Sequence, residues 1–103
     1  MSFKKQFLKS KPVCKVSFRF DATEAPGAKK VQLLGDFNDW FIHTEPMTAL
    51  KSNDFTITLE LETGKEFQFR YLVDGTEWKN DTHADSYVAN SFGEENSVIS
   101  TIA

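Results

Sequence analysis

The sequence has little cysteine and no long apolar run. Cys14 is the sole cysteine among 103 residues, so an intramolecular disulfide is excluded and no cysteine-based zinc site is encoded. No stretch reaches the length of a membrane-spanning helix, and the N-terminus lacks the apolar segment of a signal peptide. These absences predict a soluble protein of a reducing compartment, most simply the cytoplasm, with no membrane association.

An excess of basic residues is also absent. Lysine and arginine number 12 against 15 aspartates and glutamates, which gives a formal net charge of −3. A protein that binds nucleic acid mainly through phosphates needs a basic excess, so we expect no nucleic-acid partner. One basic cluster lies near the N-terminus and is interpreted as a solvated arm; its members are Lys4, Lys5, Lys9, Lys11 and Lys15.

The common motifs of catalysis and cofactor binding are missing as well. No Gly-rich phosphate loop, nucleophile elbow or Cys/His pair stands out. Asp81, His83 and Asp85 form a cluster of a kind that ligates metals or acts as acid and base. The favoured interpretation is a polar loop in which both aspartates accept hydrogen bonds from backbone amides. His43 is isolated in a loop and is interpreted as a structural residue. Together these observations lead us to expect no enzyme activity, no bound metal and no cofactor.

What the sequence does contain is alternation of apolar and polar residues with a period of two. It is clearest over residues 14–20, 55–62 and 67–73, and turn-forming residues separate the runs. The turn at residues 63–65 predicts a hairpin between the two longest strands. Short strands with one apolar face, and ten phenylalanines to fill an interior, predict an all-β, antiparallel β-sandwich of immunoglobulin-like size over residues 13–103.

Residues 1–12 precede the alternating pattern. Phe3 and Phe7 are four positions apart, a spacing that places two side chains on one face of a helix. We therefore predict an N-terminal arm or a short helix that packs on the edge of the sheet. The remainder of the chain is expected to form a single domain.

The two tryptophans, Trp40 and Trp78, each end a tight polar turn that follows a strand-like run. A large apolar ring costs free energy in water, so this placement predicts stacking platforms for sugar rings, nucleobases or partner side chains. The alternative for Trp40 is a structural ring that closes the end of the sandwich beside Phe37 and Pro46. Arg70 lies on the polar face of its strand and is expected to point away from the core.

Three segments carry a family resemblance: VQLLGDFNDW at residues 31–40, Pro46-Met47, and FQFRYLVDG at residues 67–75. They closely resemble the early-set, immunoglobulin-like sandwich of α-glucan-active proteins. That family includes the glycogen-binding domain of the AMP-activated protein kinase β subunit. It also includes the carbohydrate-binding modules that precede the catalytic barrel in isoamylases, pullulanases and branching enzymes. The resemblance covers about residues 13–102.

The resemblance implies a site of five residues. The two stacking tryptophans of the kinase-type domains match Trp40 and Trp78, and their hydroxyl-bonding lysine matches Arg70. Their apolar loop residue, which inserts among the glucose units of a curved glucan, matches Phe92. Their amide-bearing asparagine matches Asn96.

The chain departs from the family pattern at Glu94 and Glu95, which replace small or apolar residues.

The resemblance implies non-catalytic binding of α-glucan, as glycogen, starch fragments or maltooligosaccharides. The alternative is a protein-interaction or regulatory module that docks onto a glucan-metabolising enzyme or a kinase-like complex. The Lys-rich N-terminus and the Phe-rich composition favour that alternative, in which a separately encoded glucan-active enzyme is the partner.

Overall fold

A computed structural model describes residues 2–102 of the chain, and over this range the fold consists of β-strands joined by turns. The strands are β1 (Ser2–Phe7), β2 (Val13–Phe20), β3 (Val31–Gly35), β4 (Thr48–Ala49), β5 (Phe55–Glu62), β6 (Glu66–Val73), β7 (Glu77–Lys79), β8 (Ser86–Ala89) and β9 (Glu95–Ser100). Single 3₁₀ turns occur at Ala22–Glu24 and Asp36–Asn38. None of the described residues belongs to a helix long and apolar enough to cross a membrane.

The strands form two sheets, and every pairing is antiparallel. One sheet has the order β1-β2-β5-β4, and the other has the order β3-β6-β9-β8 with β7 added beside β6. Phe69 pairs with Gly35 of β3 and with Ser97 of β9, so these two strands lie on opposite edges of β6. The predicted all-β, immunoglobulin-like antiparallel sandwich is confirmed.

Aromatic rings from both sheets fill the space between them. Phe18 and Phe20 of β2 are fully buried, as are Phe69 and Tyr71 of β6. The ring centroids of Phe18 and Phe69 lie 5.4 Å apart, and those of Phe20 and Tyr71 lie 5.1 Å apart. Burying each such ring contributes about 1.5–3 kcal/mol, so these cross-sheet contacts are a main source of the stability of the sandwich.

The predicted hairpin at residues 63–65 is wrong, because the turn connects the two sheets. Strand β5 pairs with β2 and β4, whereas β6 pairs with β3, β7 and β9. The turn is held by other segments: the Thr63 amide donates to the Pro12 carbonyl and the Gly64 amide donates to the Thr101 carbonyl. A hairpin would place the apolar faces of both strands on the same side of one sheet. The crossover instead sets those faces against each other across the core.

Residues 2–7 form a strand, so the prediction of a short helix there is wrong. In the register of β1 with β2, Phe3 lies opposite Phe18 and Phe7 lies opposite Cys14. The Phe3 ring packs 5.8 Å from Phe18 and 6.3 Å from Phe69, measured between centroids. Residues four positions apart share a face in a strand as well as in a helix. The unpaired edge of β2 favours the strand, because it offers backbone hydrogen bonds along its whole length. The domain boundary between residues 12 and 13 stays a prediction.

We predict that Phe18→Ala destabilises the domain far more than Phe7→Ala does. Phe18 is fully buried and touches rings from both sheets, so its truncation is expected to cost about 3–5 kcal/mol of unfolding free energy. Phe7 lies on the adjacent strand but is exposed, and its truncation is expected to cost about 1 kcal/mol or less. Urea denaturation of the two variants measures the difference. Equal losses would contradict this account of the core.

Candidate functional site

A groove of about 730 Å³ lies on the outer face of the five-stranded sheet. Strands β6, β7 and β9, the turn after β3 and the turn before β9 contribute its lining. It brings together all five residues of the predicted site along with four others; the lining residues are Trp40, Gln68, Arg70, Trp78, Asn90, Ser91, Phe92, Glu94 and Asn96.

Strand β6 supplies the floor of the groove. Its inward side chains Phe69 and Tyr71 are fully buried in the core, and the alternate positions Gln68 and Arg70 line the groove. Successive side chains of a strand point to opposite faces, so one strand supplies side chains to both the core and the groove. Arg70 therefore points away from the core, as its parity predicts.

The turn after β3 depends on a close backbone approach. A Cβ atom on Gly35 would lie 2.5 Å from the carbonyl oxygen of Gln68, so no larger residue fits without moving the backbone of β6. Asn38 then pins the turn, because its Oδ1 accepts from the Gly35 amide at 3.0 Å and its Nδ2 donates to the Leu33 carbonyl at 2.9 Å. The turn is thereby fixed against β3 and β6.

Trp40 is held at the end of this turn in an unusual backbone conformation. Asp39 and Trp40 both have φ of 55°, in the left-handed region that non-glycine residues seldom adopt. The indole Nε1 donates to Asp36 Oδ1 at 3.0 Å, and Asp36 Oδ2 accepts from the Gln68 amide at 2.8 Å. The Asp36 carboxylate thus links the indole directly to β6.

Trp78 completes an aromatic wall. It lies on β7 opposite Leu72 of β6, which places it on the same outer face of the sheet. The ring centroids of Trp40 and Trp78 are 6.4 Å apart and the ring planes meet at 55°. The two rings therefore form one bent surface instead of two separate platforms.

Arg70 lies beneath this wall. Its side chain is only 11% exposed, and its Cζ atom is 5.5 Å from the centroid of the Trp78 ring. Its Nη1 atom is 3.5 Å from Glu94 Oε1, and within the described part of the chain its buried Nε has no hydrogen-bond partner. The guanidinium is thus a largely desolvated cation that keeps N–H groups unused by the protein.

The turn between β8 and β9 carries Phe92. Asn90 Oδ1 accepts from the amides of Phe92 and Glu94 at 2.9 and 3.1 Å, which closes the turn. Gly93 provides the left-handed residue that the turn needs, with φ of 79°. The Phe92 side chain is left 85% exposed at the rim of the groove.

Side-chain amides join the turn to β6. Asn90 Nδ2 donates to Asn96 Oδ1 at 3.2 Å, and Asn96 Nδ2 donates to Gln68 Oε1 at 3.0 Å. Each amide nitrogen has two N–H groups, so Asn96 keeps donor capacity toward the groove.

Sequence reasoning missed Gln68, Asn90 and Ser91. Gln68 could have been predicted from the sequence, because it lies two residues before Arg70 and therefore on the same face of the strand.

Comparisons with known proteins identify the family of the chain. Residues 16–102 match the family described as "Glycogen recognition site of AMP-activated protein kinase". The chain belongs to this family. This confirms the resemblance that the sequence motifs predicted.

One relative of the chain is the 1,4-alpha-glucan branching enzyme GlgB of Nocardia farcinica. The two are 34% identical over 74 residues, which cover 72% of this chain and 10% of that enzyme. The chain thus spans about a tenth of the length of the branching enzyme.

The other cluster singled out in the sequence lies behind the groove and serves the domain structurally. Asp81 is fully buried; its Oδ2 accepts from the Tyr71 hydroxyl and its Oδ1 from the His83 amide, both at 2.8 Å. Asp85 Oδ2 accepts from the Ser100 amide at 2.7 Å, which confirms the polar-loop interpretation. Burial and the Asp81 carboxylate raise the pKa of Tyr71 well above its usual value. Within residues 2–102, no group of three His, Cys, Asp or Glu side chains is placed to hold a metal.

We predict that Asn90→Ala loosens the Phe92 turn without unfolding the domain. The change removes the acceptor for two backbone amides, so the amides of Phe92 and Glu94 should exchange with solvent about tenfold faster. Hydrogen exchange followed by NMR measures these rates. Ser91→Ala, a change at the neighbouring residue of the turn, is the control. Unchanged rates in Asn90→Ala would overturn the assigned role.

Proposed function

We propose that this domain is a non-catalytic module that binds α-glucan, as glycogen, starch fragments or maltooligosaccharides. Trp40 and Trp78 stack on glucose units, and Phe92 fills the curve of the glucan. Arg70 and Asn96 donate hydrogen bonds to sugar hydroxyls. The observation that carries the proposal is that these five family-matched positions surround one groove.

The aromatic wall suits this ligand in shape and in energy. An indole on the apolar face of a pyranose removes about 100 Å² of apolar area from water, which is worth roughly 2–3 kcal/mol before ordering costs. Two rings and a few hydrogen bonds then give dissociation constants of about millimolar to micromolar. The 55° angle between Trp40 and Trp78 fits consecutive glucose units that turn away from one another, as they do along a curved chain.

The polar groups of the groove favour binding over catalysis. Glu94 is the one carboxylate among the described residues that line it, and it pairs with Arg70. Glycoside hydrolysis ordinarily uses two carboxyl groups on either side of the bond that breaks. We therefore propose that the domain itself performs no reaction. The cytoplasmic location stays a prediction.

Titration with β-cyclodextrin tests the proposal. Trp40 and Trp78 are the two tryptophans of the chain, so a saturable change in tryptophan fluorescence reports on the groove directly. Trp78→Ala is expected to weaken binding at least about tenfold, because one stacking surface is lost. Trp78→Tyr keeps a flat ring and is expected to retain most of the affinity. No saturable signal from the unmodified protein at millimolar ligand would end the proposal.

Two controls accompany that titration. Phe41→Ala removes an exposed ring next to Trp40 that does not line the groove, and it is expected to leave the affinity unchanged. Because the ligand is neutral, affinity should be nearly the same at low and high ionic strength. A steep loss of affinity with salt would instead indicate an anionic ligand.

A second candidate function is docking onto a glucan-active enzyme or a kinase-like complex. The observation that favours it is the loop after Trp40, where Phe41 and Ile42 are each more than half exposed. The Phe41 ring packs edge-on against His43 at 5.6 Å, which leaves a small apolar surface beside the groove. Exposed apolar surface of this kind is common at sites of protein contact.

Affinity capture before and after amylase treatment separates the two candidates. If glucan binding is the function, enzymes captured from a lysate should be released once amylase has digested the glucan that bridges them to the domain. A partner that stays bound after digestion, and is lost in the Phe41→Ala variant, would favour docking. Immunoblotting or mass spectrometry of the retained fraction gives the readout.

A further inference from the structure

The positive charge of Arg70 attracts anionic groups to the floor of the groove. The guanidinium is largely removed from water, with an 11% exposed side chain and the Trp78 ring 5.5 Å from its Cζ atom. Attraction between charges grows as water is excluded, and arginine binds phosphate and sulfate groups through paired N–H donors. An unaccompanied Arg70 would therefore favour saccharides that carry anionic groups.

Glu94 supplies the opposite charge at the groove. Its Oε1 lies 3.5 Å from Arg70 Nη1, and its side chain is 60% exposed. Its backbone is fixed, because the Glu94 amide donates to Asn90 Oδ1 and the Asn90 amide donates to the Glu94 carbonyl. The turn therefore holds a solvent-facing carboxylate against the cation on the floor.

We infer that Glu94 is a specificity-determining residue that makes the groove select neutral glucans over saccharides bearing phosphate or sulfate. An anionic ligand must either compete with Glu94 for Arg70 or lie beside a like charge, and both cost free energy. A sugar hydroxyl does neither, since it accepts a single N–H from the guanidinium while the ion pair stays in place. The inference rests on the proposed function, because it concerns which saccharides enter the same groove.

Glu95 provides a matched control one residue away. Antiparallel strand β9 alternates between faces, with Asn96 lining the groove and Ser97 fully buried on the inner side. Glu95 shares the parity of Ser97 and does not line the groove. Glu94→Gln and Glu95→Gln thus remove the same charge at neighbouring positions, and only the first removes the partner of Arg70.

The test measures the affinities of the unmodified protein and the two variants by calorimetry for two ligands. One ligand is β-cyclodextrin, and the other is β-cyclodextrin sulfated at the 6-hydroxyl of every glucose unit. For Glu94→Gln, the ratio of sulfated to neutral affinity should rise about fivefold or more at low ionic strength. For Glu95→Gln, it should stay within about twofold of the unmodified protein, as expected for a charge farther from the ligand.

High salt gives a second readout. The gain of Glu94→Gln toward the sulfated ligand should decrease at about 1 M salt, because the Glu94 side chain is 60% exposed and exposed charges are screened beyond roughly 3 Å. An equal ratio in all three proteins, with neutral β-cyclodextrin still bound, would overturn the role of Glu94 and leave the proposed function standing. Failure of the unmodified protein to bind neutral β-cyclodextrin would overturn both.

Discussion

Strand β6 lies between the core and the groove, and the alternation of its side chains determines both. Phe69 and Tyr71 pack against rings of the opposite sheet, while Gln68 and Arg70 line the outer surface. A shift of one residue in its register would place Arg70 in the core and Phe69 in water. Any sequence change that preserves the core of this strand therefore also preserves the direction in which its polar residues point.

The buried face behind the groove is polar as well as aromatic. The Asp81 amide donates to the Ser97 hydroxyl, which donates to Asn80 Oδ1, and Asn80 Nδ2 donates to the Glu95 carbonyl, each at 2.8 Å. The Tyr87 hydroxyl donates to the Asp81 carbonyl at 2.6 Å. These bonds connect the segment after Trp78 to strand β9, and so they link two walls of the groove. A hydrogen-bond network of this kind makes a site rigid before a ligand arrives.

Much of this arrangement could be predicted from the sequence, because it follows from local rules. The alternation of apolar and polar residues predicted the strands and the outward direction of Arg70. The tight turns predicted where both tryptophans leave the sheet. The connection at residues 63–65 could not be resolved, since the same short turn and the same alternation suit a hairpin and a crossover. Residues 2–7 were misassigned because spacing by four is common to helix and strand. Tertiary pairing decides both cases.

The remainder of the groove arises from contacts that sequence spacing does not reveal. Asn90 has the sequence context of an ordinary turn residue, yet its side chain closes the turn and donates to Asn96, which in turn donates to Gln68. Glu94 departs from the residues that the resemblance implies at its position, and its contact with Arg70 becomes visible only in the folded chain. Such long-range polar contacts depend on how three separate strands are brought together.

The left-handed conformation of Trp40 has a consequence for the evolution and engineering of this domain. A non-glycine residue at φ of 55° costs about 1 kcal/mol relative to glycine, although aspartate, as at residue 39, adopts this region more readily than tryptophan. The contacts of the indole oppose that cost, because Trp40 is partly buried, its ring centroid lies 6.4 Å from that of Trp78, and its Nε1 donates to Asp36. Glycine at position 40 would therefore relieve the backbone strain and at the same time remove side-chain burial worth about 1.5–3 kcal/mol. The fold and the aromatic wall thus favour the same residue at position 40, and a variant without it loses both the ring and the link of the turn to β6.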